Sequence, residues 1–132
     1  MKKFTFTLLL AVIGCSGFSQ IDELTPEEKF YRDSITHLNE SNAAIEASQL
    51  AYNEGIELFK QKKYKGAANK FSASITNDPK FTPAYYNKAV AENSMDDFKA
   101  AIKTIDALLT LKPTYAKAFF QRAKAYQVLN DV

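Results

Sequence analysis

His37 and Cys15 are the only histidine and cysteine in a chain of 132 residues. A zinc-type site needs three or four such donors, and covalent catalysis needs a nucleophile with a base held beside it. Neither can be assembled here, and Cys15 falls in a segment expected to be removed or lipidated. The adjacent aspartates Asp96 and Asp97, like the pair Glu27 and Glu28, stand where helices are predicted to begin, so capping explains them. There is no glycine-rich phosphate loop and no Gly-x-Ser-x-Gly element. The residues predict a protein without catalytic residues, metal ligands or cofactor-binding residues. What remains is noncovalent recognition.

Charge narrows the partners. The formal charge of +2 comes from Lys2 and Lys3; without them, 15 basic residues face 15 acidic ones. No overall attraction to nucleic acid follows. Residues 20–47 carry seven carboxylates and two cations, whereas residues 48–132 carry eight and thirteen, so the acidic segment is a candidate to fold back on the basic one. Lys60, Lys62, Lys63 and Lys65 form the densest run of charge. Read as a site, it would attract phosphate, acidic polysaccharide or lipid headgroups. Read as surface, it is a solvated turn near a helix C-terminus, where cations are mildly favoured.

The N-terminus reads as a targeting signal. Met1, Lys2 and Lys3 form a cationic start, residues 4–14 are apolar, and small residues follow. A membrane-spanning helix needs roughly 20 apolar residues, and this run stops short of that. Two processing routes stay open. Cleavage after Gly17-Phe18-Ser19 makes residues 1–19 a signal peptide and Gln20 the mature start, an ending that resembles exported proteins of Bacteroidota. Alternatively, Val12-Ile13-Gly14-Cys15 resembles a lipobox, in which Cys15 is lipidated and anchors the chain. With no cysteine after it, the folded part has no disulfide.

The elements that would position a recognition surface are helices. Thr25-Pro26-Glu27-Glu28 is a helix start with a cap, a proline at the first position and a capping-box carboxylate. The predicted helix runs to about Leu38 with an apolar stripe of Phe30, Tyr31, Ile35 and Leu38, and a break is expected over residues 39–42. Residues 20–47 thus read as a linking or capping helix. From Ser48 the chain repeats every 34 residues. Tyr64 recurs as Phe98 and Val132, Ala67 as Ala101, Phe71 as Ile105, Pro79 as Pro113, Tyr85 as Phe119 and Ala89 as Ala123. Each unit orders helix, turn, helix and proline.

Gly55, Leu58, Tyr64, Ala67, Phe71 and Pro79, followed by Tyr85, Ala89, Phe98, Ala101, Ile105 and Pro113, resemble the signature of the tetratricopeptide-repeat (TPR) family. The third unit, residues 116–132, begins the same way with Phe119, Ala123 and Tyr126. The resemblance implies an all-α solenoid of tandem hairpins, residues 48–81 and 82–115 plus the first helix of another, wound as a right-handed superhelix. Small residues at 55, 89 and 123 let helices approach, and Tyr64, Phe71, Phe98 and Ile105 are expected between hairpins. Two departures stand out. Glu54, Lys88 and Arg122 replace the signature leucine, and Glu92 replaces the apolar residue seen as Leu58 and Tyr126, which predicts a looser second hairpin. The third unit lacks its second helix, so the chain reads as part of a longer array or as a half that pairs with another chain.

In this family the first helices of successive hairpins line the concave surface. That implies two ladders: Tyr52, Tyr86 and Phe120 as an aromatic one, and Asn53, Asn87 and Gln121 as an amide one. Amides can satisfy both N–H and C=O groups of a bound peptide, and aromatics add apolar contact. Packing support is the competing use of the same residues. The carboxylate clamp of chaperone-tail receptors is matched only at Asn87 and Lys117, while Tyr52, Ile56 and Gln121 occupy its other places; a chaperone-tail receptor is not expected. The resulting expectation is a non-enzymatic scaffold for a protein or peptide partner in the periplasm or at the outer membrane. The alternative is a docking or regulatory module of a longer enzyme or sensor.

Overall fold

In the computed structural model, residues 24–130 are described and fold into five helices: α1 Pro26–Lys60, α2 Tyr64–Asn77, α3 Thr82–Ser94, α4 Phe98–Leu111 and α5 Ala116–Asn130. The expected signal segment, Cys15 and Val132 lie outside the described residues. Each helix packs on the next, and α3 also reaches α5. Among the described residues, no helix is long and apolar enough to cross a membrane.

The start of α1 is the capping box its sequence predicts. The Glu28 backbone N–H donates to Thr25 Oγ1 at 3.3 Å, and the Thr25 N–H donates back to Glu28 Oε2 at 3.0 Å. These bonds favour the ionised carboxylate and lower the Glu28 pKa. The expected break over residues 39–42 does not occur, because α1 continues for 35 residues. No glycine or proline stands between Pro26 and Gly55. Asn39, Ser41 and Asn42 each disfavour a helix by only a few tenths of a kcal/mol relative to the best helix formers, roughly 0.5 at most. Nor do the described residues of the acidic segment fold back on the basic one. Residues 26–43 are exposed throughout, in a helix that continues unbroken into the first hairpin.

Burial starts at Ser48, whose hydroxyl donates to the Ser74 carbonyl oxygen at 2.9 Å and clasps α1 to the end of α2. Both turns inside hairpins are built alike. The Lys63 and Asp97 N–H groups reach back to the Leu58 and Glu92 carbonyls at 2.9 and 3.0 Å, with Lys62 and Asp96 left-handed at φ 60° and 61°. This is the bonding pattern that closes a helix around a left-handed residue, a role usually given to glycine. Asp97 then caps α4 by accepting from the Ala100 N–H at 3.2 Å. Helices α2 and α4 end at Asn77 and Leu111, two residues before Pro79 and Pro113, since the residue before a proline is forced out of helical geometry.

Two apolar clusters hold the array. Ala67, Ala68 and Phe71 meet Ala91 of the next hairpin, and Ala89, Ile105 and Leu108 meet Ala118 of α5. Phe71 and Ile105 therefore lie where the repeat predicts, between hairpins. Tyr64 turns instead to Phe59 across its own hairpin turn, ring centroids 5.1 Å apart.

Candidate peptide-binding face

The predicted ladder residues fall on α1, α3 and α5, and the structure treats them unequally. Tyr52 is half-buried, with its ring 5.6 Å from Phe71 and edge-on to Phe81 at 5.1 Å. Tyr86 is set against Tyr115 at 5.6 Å. Phe81 and Tyr115 are themselves 34 residues apart, so one rung is made twice: an aromatic from the first helix packed on an aromatic in the loop leading to the next. Phe120, the third aromatic, is 70% exposed. The loop aromatics were missed by sequence reasoning, although their spacing was there to read.

The amide row is likewise drawn into the structure. Asn87 Nδ2 donates to the Tyr52 hydroxyl at 2.7 Å, which ties an amide of one hairpin to the aromatic of the one before. Gln121 Oε1 accepts from Asn93 Nδ2 at 3.2 Å, joining α5 to α3. Asn93 Oδ1 is buried with no partner of its own. Asn53 is exposed and lines an open groove of about 700 Å³ beside Glu54, Ile56, Leu58 and Lys70.

Three phenols converge on this face. Burial raises the Tyr115 pKa, and the neighbouring Tyr86 and Tyr52 phenols add to the shift, so Tyr115 stays neutral well above physiological pH. Burial, and then Asp78, act the same way on Tyr85, whose hydroxyl donates to the Pro79 carbonyl at 3.0 Å. Tyr52, Tyr86, Tyr115 and Asn87 thus present hydroxyl and amide groups beside aromatic surface. That combination suits a peptide backbone and its apolar side chains.

The charged departures from the repeat signature are all partnered. Glu54 pairs with Lys70, Lys88 lies 3.6 Å from Glu92, and Arg122 Nη1 bonds Asp106 Oδ1 at 2.8 Å across α4 and α5. Glu92 is buried and accepts from Thr104 Oγ1 at 2.8 Å. Burial raises its pKa, while the Thr104 hydroxyl and Lys88 oppose the shift. Lys60, Lys62, Lys63 and Lys65 are all exposed around the first turn, with Lys60 bonded to Glu57 at 2.8 Å. Among the described residues, no group of three or more His, Cys, Asp or Glu side chains is placed to hold a metal.

No family model and no curated protein matches the chain. Among 33 matching chains of solved structures is the TPR domain of Arabidopsis OM64. It is similar with a TM-score of 0.64 over 67% of this chain and 73% of its own, at 23% identity. That likeness shows the fold: the helical hairpins have the arrangement of a tetratricopeptide-repeat domain.

Proposed function

We propose that this chain is a non-enzymatic scaffold that captures a partner protein through a peptide laid along α1, α3 and α5, on the inner side of a right-handed superhelix. The observation that carries the reading is the repeated rung, in which Tyr52 on Phe81 and Tyr86 on Tyr115 sit beside the Asn87–Tyr52 hydrogen bond. Aromatics and amides rigidified by the fold lose little conformational entropy on binding. The cationic and apolar N-terminus supports export, with the scaffold working in the periplasm or, through Cys15, anchored at the outer membrane.

A peptide library displayed on phage tests the face. Clones enriched on the wild-type protein should lose about tenfold or more in affinity on a variant carrying Asn53→Ala, Phe120→Ala and Gln121→Ala. Unchanged capture by that variant, with an unchanged melting temperature, rejects the assignment.

A further inference from the structure

The outer half of α1 carries an apolar stripe that stays exposed. Tyr31, Ile35, Leu38 and Ile45 are 59, 59, 62 and 42% exposed. Their spacing of four, three and seven, with Asn42 between the last two, is that of a heptad seam with Ile35 and Asn42 at a positions and Tyr31, Leu38 and Ile45 at d. At about 100° per residue, the stripe lies roughly 130° around the helix from Ser48, Ala51 and Gly55, the residues turned to α2. A helix laid on the seam therefore clears the hairpin.

We propose that this seam pairs with the same seam of a second copy, as a parallel two-stranded coiled coil that joins two solenoids. Charge supports this occupant. Glu27 falls at g and Arg32 at the following e, the two positions that meet across a parallel pair, so each dimer makes two opposite-charge contacts. Asp33 and Glu40 fall at f, pointing away from the partner, and Glu28, one heptad before Ile35, is held in the capping box with Thr25, so the seam begins at Tyr31. Between Tyr31 and Ile45, Asn42 is the single polar residue at a seam position. In register it meets Asn42 of the other copy, the arrangement that selects two parallel strands over other registers at some cost in affinity. The product is a bivalent scaffold whose two peptide-binding faces act on one target with increased avidity.

The test uses the full chain with Cys15→Ser and measures mass by light scattering across a concentration series. The expected result is a monomer–dimer equilibrium that Leu38→Glu weakens by about a hundredfold, since it places a charge in the apolar seam. The helix signal in circular dichroism should hold, because Leu38 is largely exposed in the monomer. Asn42→Cys should form a disulfide with itself under mild oxidation, and Asn42→Leu should tighten association by about tenfold. A monomer at every concentration overturns the proposal. So does a dimer that survives Leu38→Glu, which would assign association to another surface such as Phe119 and Tyr126 of α5. A dimer in which Asn42→Cys fails to cross-link overturns the parallel register.

Discussion

In the first hairpin Gly55 faces Phe71, and a Cβ on Gly55 would come within 2.6 Å of that ring. At the same positions of the second hairpin Ala89 and Ile105 share a cluster. A large ring needs a bare backbone opposite, whereas a branched aliphatic leaves room for a methyl group. A second pair of positions differs more. The first hairpin has Leu58 against Gly66 with Lys70 outside, while the second buries Glu92 against Thr104. The expected looseness of the second hairpin is therefore met by a hydrogen bond rather than by apolar packing. One backbone repeat accepts both, provided that each substitution is answered at the facing position.

The largest effect should come from the Glu92 site. Thr104→Val leaves a buried carboxylate oxygen unpaired and should cost about 1–3 kcal/mol in chemical denaturation. Because the folded-state pKa of Glu92 is raised, protonation favours the folded state. That contribution is fully present below the unfolded carboxyl pKa and is lost as pH rises through the folded value. Wild-type stability should decline over that window relative to Glu92→Gln, which removes the titration and keeps an acceptor for Thr104. Identical pH dependence in the two proteins would break the comparison.

Next in size is the glycine. Gly55→Ala should destabilise by about 1–2 kcal/mol, because overpacking against the buried Phe71 exceeds the gain in helix propensity. Adding Phe71→Ile should recover much of the loss by converting the first pair into the second. Failure of that rescue would mean that the two pairs are not alternative solutions to one contact. The smallest effect sharpens what the hairpins share. Lys62→Gly and Asp96→Gly should each raise stability by about 0.5–1 kcal/mol, since a side chain in the left-handed region is strained. Thermal melts should show similar gains, and unequal ones would separate turns that look equivalent.

Much of the fold can be read from the sequence because periodic packing demands periodic residues. Ala67, Ala101, Phe71 and Ile105 recur at 34 because each hairpin offers its neighbour the same surface. The continuity of α1 could not be read that way. Asn39, Ser41 and Asn42 are weak helix breakers, and a few tenths of a kcal/mol each do not outweigh continued backbone hydrogen bonding. The candidate face was half visible. Spacing located Tyr52, Tyr86, Asn87 and Gln121, but a tyrosine that packs and a tyrosine that binds look alike as letters. Phe81 and Tyr115 stand in loops, outside the helical period, so the apolar pattern of the helices does not mark them.

The sequence by itself determined that the chain would be helical, repeating and poor in histidine and cysteine, for those are properties of residue type and spacing along one chain. Tertiary structure decided how each polar and aromatic side chain is used. Tyr52 is held by Phe81 and Asn87, Glu92 by Thr104 twelve residues on, and Arg122 by Asp106 on the preceding helix. It also decided that the stripe on the outer half of α1 stays exposed. The physical reason is the same throughout: a side chain's energy depends on what lies within a few ångströms of it, and those neighbours come from distant parts of the chain.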